Sequence, residues 1–400
     1  MSGPLTGIKI VDMTTMMSGP LATMLLGDQG ADVIKVETPS GELMRKVGRS
    51  RNGVTDSFQC SNRSKRSLSV DLKSEQGRSI VKQLLANADV LVQNFRPGTM
   101  ARLGLDETTV RTLNPGIIYV SINGVGEDGP YARQRIYDPM IQALSGMADI
   151  QADNDTGRPR MVRTVLCDQT TALAAAQAVT AALFERANSG KGQHVKLSML
   201  DTMVSFLWPE GMSPLTFVGD EGDPASAQLG GDLVYQTQDG YITAGAVTDA
   251  EWSGMCKAIE RLDLLADERF KTADGRFSHA NVRRAITAEE IKKWTSGVLL
   301  ERLRDNDVPS APVLARGDIE QDPQVKHNGV IVIQEDEILG QVRQARPAAR
   351  FDRTPATPTR MAPRLGADNE TILAELGYAA TSIEELTRSG ILGSPETQSR

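Results

Sequence analysis

Asp168 has the setting in this 400-residue chain that points most directly to chemistry. It stands in the run Val165-Leu166-Cys167-Asp168-Gln169-Thr170-Thr171, after a short apolar, strand-like segment (161–166) and before an Ala-rich stretch (172–186). In that stretch Leu173, Ala176, Gln177, Thr180, Leu183 and Phe184 fall three and four apart, the spacing of one helix face. A carboxylate at a helix entry admits two readings. As an N-cap it accepts a bond from an orphan N–H, and its loss costs about 1 kcal/mol. As a nucleophile it is already ionised at neutral pH, with a reference pKa of about 3.9, and needs no partner base. Taken alone, these residues leave both readings open.

The other reactive groups narrow the classes. Cys60, Cys167 and Cys256 lie far apart and form no CxxC pair, so neither a disulfide framework nor a zinc site is expected. Each reads as a small buried hydrophobe, and Cys167, beside Asp168, is also placed to line a site. His194, His279 and His327 give little support to a histidine-driven scheme. Gly124-Val125-Gly126-Glu127-Asp128-Gly129 is formally GxGxxG, yet two carboxylates occupy the place of phosphates and Pro130 breaks the helix that should receive them. It reads as a turn. A net charge of −7 argues against nucleic acid as a partner. Even so, Arg45, Lys46, Arg49, Arg51, Arg63, Lys65 and Arg66 crowd one segment opposed only by Asp56. That island reads either as a solvated loop or as a surface for a small polyphosphate.

The elements that must position these residues alternate in type. A buried strand at 8–12, a helix at 20–30 entered through Ser18-Gly19-Pro20, and a strand at 32–37 form a βαβ unit. Glu37 closes the second strand as in dinucleotide-binding folds, but the first turn, Met13-Thr14-Thr15-Met16-Met17, has no glycines to admit a pyrophosphate, so NAD is not expected. A helix at 74–87, a strand at 89–93, the turn Asn94-Phe95-Arg96-Pro97-Gly98 and a strand at 116–122 continue the alternation. The fold class is therefore α/β, an open, doubly wound parallel sheet covered on both faces. Gly190-Lys191-Gly192 ends the long helix and residues 193–197 are extended. Residues 211–231, rich in Gly, Ser, Pro and Asp, read as a linker or mobile loop. A smaller unit follows, with a hairpin at 233–246 turning at Gln238-Asp239-Gly240 and helices at 252–261, 280–287 and 288–306. Then come an extended piece at 330–334, a Pro- and Arg-rich segment at 346–364 and a helix at 369–376. The length and a hydrophobic share of 40% suit two domains. No apolar run approaches the ~20 residues of a membrane span, and Met1-Ser2-Gly3-Pro4 is unlike a secretory signal, so a cytoplasmic protein is expected.

Several stretches, in order along nearly the whole chain, together resemble one family. They include Leu5-Thr6-Gly7-Ile8-Lys9-Ile10-Val11-Asp12, Gly30-Ala31-Asp32-Val33-Ile34-Lys35-Val36-Glu37, Asn62-Arg63-Ser64-Lys65-Arg66-Ser67-Leu68 and Asp71-Leu72-Lys73. Ala88-Asp89-Val90-Leu91-Val92-Gln93-Asn94-Phe95-Arg96-Pro97-Gly98, Gly190-Lys191-Gly192-Gln193, Val308-Pro309-Ser310-Ala311-Pro312-Val313 and Ala362-Pro363-Arg364-Leu365-Gly366 continue the match. The chain resembles the class III coenzyme A transferases of CaiB/BaiF type, which include formyl-CoA and crotonobetainyl-CoA:carnitine transferases and the α-methylacyl-CoA racemases.

The resemblance implies a Rossmann-like, CoA-binding large domain (1–205), a linker (206–232), a small α+β domain (233–325) and a return segment (326–400) that completes the large domain. It implies an acyl-CoA:carboxylate CoA-transferase in which Asp168 matches the aspartate that carries the acyl group, first as an anhydride and then as an aspartyl-CoA thioester. On this resemblance cap and nucleophile are one residue. By position, Asn94, Phe95, Arg96, Arg102, Leu72 and Lys73 match CoA-binding residues, and Arg135, Tyr137 and Asp138 match residues ahead of the catalytic aspartate. CoA enters as acyl-CoA substrate, with no tightly bound cofactor and no metal. The partners implied are an acyl-CoA, a carboxylic acid and a second copy in an interlocked homodimer, with neither nucleic acid nor membrane. Departures matter as well. Tyr137-Asp138 stands where racemases carry His-Asp, which disfavours proton exchange. Thr15-Met16-Met17 stands where formyl-CoA transferases carry His-x-Gln, and Gly230-Gly231 is a short substitute for their glycine run, which disfavours formate and oxalate. Met13, Met16 and Met17 read as core fillers or as walls of a less polar acyl pocket. The rival readings are an acyl-CoA racemase or isomerase, and a noncatalytic CoA-binding subunit in which Asp168 is only a cap.

Overall fold

Short runs buried on both faces build most of the central sheet. Its strands are β1 (Lys9–Met13), β2 (Asp32–Glu37), β3 (Lys65–Ser69), β4 (Val90–Gln93), β5 (Ile118–Asn123) and β6 (His194–Ser198). A computed structural model describes residues 3–153, 156–222 and 233–393, so Gly230-Gly231 and the end of the expected linker lie outside the described residues. All six strands pair parallel in the order β3-β2-β1-β4-β5-β6, with Val11 beside Ile34 on one side and Leu91 on the other. The principal helices of this unit are α1 (Ser18–Asp28), α2 (Asp56–Asn62), α3 (Glu75–Ala86), α4 (Asp138–Leu144) and α5 (Leu166–Ser189). Ile10, Val90, Val92 and Val120 face one way, onto Ala22 and Leu26 of α1 and Ala172, Ala175 and Val179 of α5. Val11, Leu91 and Tyr119 face the other way, onto Val81 and Leu85 of α3 and Ile372 of the helix Asn369–Glu375. Helices thus cover both faces, as expected of a doubly wound α/β sheet. Strand order reverses at β1, which opens a crevice beyond the carboxyl ends of β1 and β4.

Two local expectations around Asp168 are corrected. Residues 161–165 form no strand, because β6 already occupies the sheet edge beside β5. On α5 the buried stripe is made of Cys167, Thr171, Ala172, Ala175, Ala176, Val179, Ala182 and Leu183, so Ala176 and Leu183 of the expected face are buried, whereas Leu173 and Phe184 are 61% and 74% exposed. Mostly small side chains let α1 and α5 lie close against one sheet face, while Leu173 and Phe184 are turned out.

The basic island is not a free polyphosphate surface. It folds into α2, β3 and their connections, and its members find acids far off in sequence. Arg45 pairs with Glu37 at 2.6 Å, Arg63 with Asp28 at 2.8 Å, Lys65 with Asp12 at 2.9 Å and Arg66 with Asp32 at 2.6 Å. Glu37 is therefore spent on Arg45 rather than on any ribose. Lys46, Arg49 and Arg51 remain exposed. Burial pushes the Asp12 pKa up, but the ammonium groups of Lys65 and Lys35 and hydrogen bonds from Thr14 and Lys65 outweigh it and hold the carboxyl at about 2.

Residues 329–393 return to this unit, with a hairpin of Ile331–Asp336 and Gly340–Ala345 and two helices, Asn369–Glu375 and the unforeseen Ala380–Arg388. They satisfy the outer edge of β3. The Ser69 N–H donates to Asn369 Oδ1 at 2.8 Å, the Gly366 N–H to Ser67 Oγ at 2.9 Å and the Gly393 N–H to the Ser69 carbonyl at 3.1 Å. A sheet edge left bare would be a template for foreign strands.

The second unit, residues 228–328, has its own core around Ile242, Trp252, Phe270 and Leu303. Strands Val234–Gln236, Tyr241–Ala244 and Ser310–Pro312 form an antiparallel sheet. The helix Asp249–Ala258 starts earlier than expected because Thr248 and Glu251 form a capping box. The two helices expected at 280–287 and 288–306 are Ala280–Ile291 and Ser296–Asp305, the break falling later than expected, where the Ser296 N–H is taken by Asp239 Oδ1 at 2.7 Å. Among the described residues no helix is long and apolar enough to cross a membrane.

Candidate active site

The crevice at the strand-order reversal holds a cavity of about 510 Å³, lined from the first turn, the turn after β4, the segment after β5, and the starts of α4 and α5. Its first wall is set by an uncommon backbone. Met16 has φ 70°, a left-handed conformation costly for a residue with a Cβ. Contacts on both sides impose it. The Met16 N–H donates to Glu42 Oε2 at 2.8 Å, and Glu42 is itself paired with Lys35 at 2.8 Å. On the other side Asn94 clamps Thr15: its Oδ1 accepts the Thr15 N–H at 2.9 Å and its Nδ2 donates to the Thr15 carbonyl at 2.8 Å. The Asn94 amide is thus occupied by main chain, and its contribution to the site is to shape the wall. Phe95 is held in turn, because its N–H donates to Gln93 Oε1 at 2.9 Å while Gln93 Nε2 donates to Ser121 Oγ at 2.9 Å.

Asp168 reaches the cavity from the first turn of α5. It is not the N-cap. Val165 takes that position and makes no side-chain cap bond, which leaves the first-turn N–H groups in need of acceptors. One acceptor comes from another helix: the Asp168 N–H donates to Asp138 Oδ2 at 3.1 Å. Asp138, buried at the first position of α4, uses its other oxygen to accept from Gln142 Nε2 at 2.6 Å. The carboxylate of Asp168 is left to face Ser18, at the N-terminus of α1. Burial raises the Asp168 pKa, the charge of Asp138 raises it further, and the Ser18 hydroxyl and N–H oppose the rise, leaving it at about 6. An aspartate at that value is still mainly ionised at neutral pH and is more basic than one in water.

Cys167 does not line the cavity. It packs among Ile141, Met147, Met199 and Met203, and burial, reinforced by Asp138 and Asp168, pushes its thiol up to about 12. Of the three methionines, Met13 is core and Met16 and Met17 are cavity walls.

The structure brings Asn94, Phe95, Arg96, Arg135, Tyr137, Asp138 and Asp168 to one cavity. It does not bring Arg102, Leu72 or Lys73 there. Leu72 is buried in the core against α3, and Lys73 and Arg102 are exposed outside the cavity. Sequence reasoning missed Ser18, Glu42, Gln93 and Gln142. Only Gln142 left a local signal, since Asp138 and Gln142 stand four apart on one short helix and such pairs meet.

The arrangement offers one carboxylate of raised basicity beside a helix N-terminus, in a recess with methionine walls and arginines at its rim. Against known proteins, the profile of CoA-transferase family III matches residues 5–369. The succinate–glutarate CoA-transferase of Agrobacterium fabrum is 33% identical over 387 residues, covering 93% of this chain and 96% of that one. The human succinyl-CoA:glutarate CoA-transferase is 31% identical, covering 98% of this chain and 91% of its own. The crystal structure of a CaiB/BaiF family protein from Brucella suis superposes with a TM-score of 0.82 at 31% identity, over 94% of this chain and all of that one (100%). With the fold, the match of the family profile and these relatives in agreement, the chain belongs to CoA-transferase family III and is an enzyme of that class.

Proposed function

We propose that the enzyme moves CoA between an acyl-CoA and a short dicarboxylic acid of the succinate and glutarate type, with Asp168 as covalent nucleophile. The observation that carries this reading is the placement of Asp168, which is anchored through its own N–H by Asp138 and has its carboxylate on the cavity beside Ser18. The dicarboxylate class is supported by the names of the Agrobacterium and human relatives, and by Arg96 and Arg135 standing on a cavity whose inner walls are Met16, Met17 and Ile136. A short methylene chain suits such walls, and a second carboxylate suits a guanidinium.

In the first step an Asp168 oxygen adds to the thioester carbonyl, and collapse of the tetrahedral intermediate breaks the C–S bond. CoA leaves as thiolate and Asp168 holds the acyl group as a mixed anhydride. The thiolate then adds to the aspartyl carbonyl, the donor departs as its carboxylate, and Asp168 becomes a CoA thioester. The acceptor carboxylate adds to that thioester and expels the thiolate, which returns to the acceptor's acyl carbon and frees Asp168. The oxyanions of these steps form beside the α1 N-terminus, whose Ser18 N–H and positive dipole end are already in place. Water must be kept out while the anhydride persists. Arg96, Arg135 and Tyr137 would contact substrate and Phe95 would flank the CoA arm, while Lys73 and Arg102, outside the cavity, could meet only the far end of so long a ligand.

The test is intact-mass analysis after brief exposure to succinyl-CoA, with acetyl-CoA beside it, quenched in hydroxylamine. A hydroxamate on Asp168 with succinyl-CoA, absent in Asp168→Asn, is the expected result, together with a loss of turnover of roughly 10³-fold or more. Normal turnover by Asp168→Asn would exclude the mechanism. A second copy of the chain belongs to the same reading, because Leu173 and Phe184 on α5 and Phe217 at 73% exposure offer apolar surface for it to cover. Light scattering should then give twice the chain mass.

A further inference from the structure

The first turn of α5 carries the nucleophile yet has no side-chain cap of its own. First turns fray when their N–H groups lack acceptors, and a shift of about 1 Å at a reacting group can cost about 100-fold in rate. What holds this turn is Asp138, and what holds Asp138 is Gln142. The Gln142 amide is spent entirely within the protein. Its Nε2 donates to Asp138 Oδ1 at 2.6 Å and approaches the Val162 and Thr164 carbonyls at 3.2 and 3.3 Å, and its Oε1 accepts the Val162 N–H at 2.9 Å. One side chain, 2% exposed, therefore ties α4 to the segment that leads into α5 and orients the carboxylate that receives the Asp168 N–H.

We infer that Gln142 is a positioning residue for the transfer reaction, acting through Asp138 and the 162–164 segment to fix the first turn of α5 and aim Asp168 into the cavity. This rests on Asp168 being the nucleophile. Gln142 does not touch the cavity, so its effect should fall on the acylation rate and not on substrate binding.

The experiment measures the single-turnover rate of hydroxylamine-trapped acylation by succinyl-CoA, and its KM, in the full chain for Gln142→Met and for the isosteric Gln142→Glu. Both variants should acylate about 10–100-fold more slowly with KM for succinyl-CoA within about 2-fold. If the Met variant does not fold, the Glu variant, which keeps the shape but replaces the Nε2 donor by an acceptor and adds a negative charge beside Asp138, carries the rate test. Acylation at the native rate in a folded variant would overturn the inference, as would a raised KM, the pattern of general loosening. If the unsubstituted enzyme gives no hydroxamate on Asp168, it is the nucleophile reading that fails, and the inference falls with it.

Discussion

Asp12 and Asp168 are the same residue type, both removed from water in the same α/β unit, and their acidities diverge. Burial is the largest influence on each and acts in the same direction. Around Asp12 stand Lys65 at 2.9 Å and Lys35 at 4.0 Å, with hydroxyls of Thr14 and Thr23, and the carboxyl is held at about 2. Around Asp168 the nearest charge is another carboxylate and the donors come only from Ser18, so it stays at about 6. The neighbours, not the depth, decide the sign. One aspartate is fully compensated and serves the fold, whereas the other is left under-compensated at a cavity, which is the condition expected of a group that must form a bond.

The strongest way to break this contrast is to remove the compensated charge. Asp12→Asn should cost about 3–5 kcal/mol in denaturant unfolding, because it strands buried lysines. It should also change the acid side of the stability curve. With a folded pKa of about 2 against an unfolded value of about 3.9, Asp12 gives stability that is fully present above pH ~4 and is lost as pH falls through ~2, about 2–3 kcal/mol in all. The variant should lack that fall. Next in size is the opposite result at the site. Asp168 binds its proton more tightly folded than unfolded, so it favours the fold below pH ~4 and that advantage disappears as pH rises through about 6. Asp168→Asn should therefore be more stable than the parent at pH 8 by about 1–3 kcal/mol and level with it near pH 4. Asp138→Asn keeps an acceptor for the Asp168 N–H and removes the like charge, and should lower the acid limb of kcat/KM by about one pH unit. Smallest is Arg66→Ala. Its partners Asp32 and Glu375 are partly or largely exposed, at 23% and 52%, so unfolding should change by less than about 1 kcal/mol.

The same contrast explains what could be read from sequence. Strands such as Val90–Gln93 are legible because a sheet covered on both faces asks for a short continuous apolar run, and the turn at Asn94-Phe95-Arg96-Pro97-Gly98 follows it at once. Asp168 is legible as a reactive carboxylate by its setting. Its cap is not, since the acceptor lies 30 residues earlier on α4. The acids that consume the basic island lie up to 309 residues from their partners, so a count of local charge saw excess where the fold has pairs. On α5 hydropathy favoured Leu173 and Phe184 over alanine for the buried face. Close approach of α1 to α5 selects for size instead, and that requirement belongs to a pair of helices and not to either sequence.

The sealing of β3 by residues 366–393 has a consequence in time. Ser69 leaves the ribosome 300 residues before Asn369, the side chain that accepts its N–H. At roughly 5–20 residues per second, the sheet's outermost strand waits ~15–60 s for its cover, long enough for the intervening unit at 228–328 to be made and to collapse on its own core. During that interval the nascent chain is a half-finished sheet with one open edge, and a holding chaperone would find its footing there.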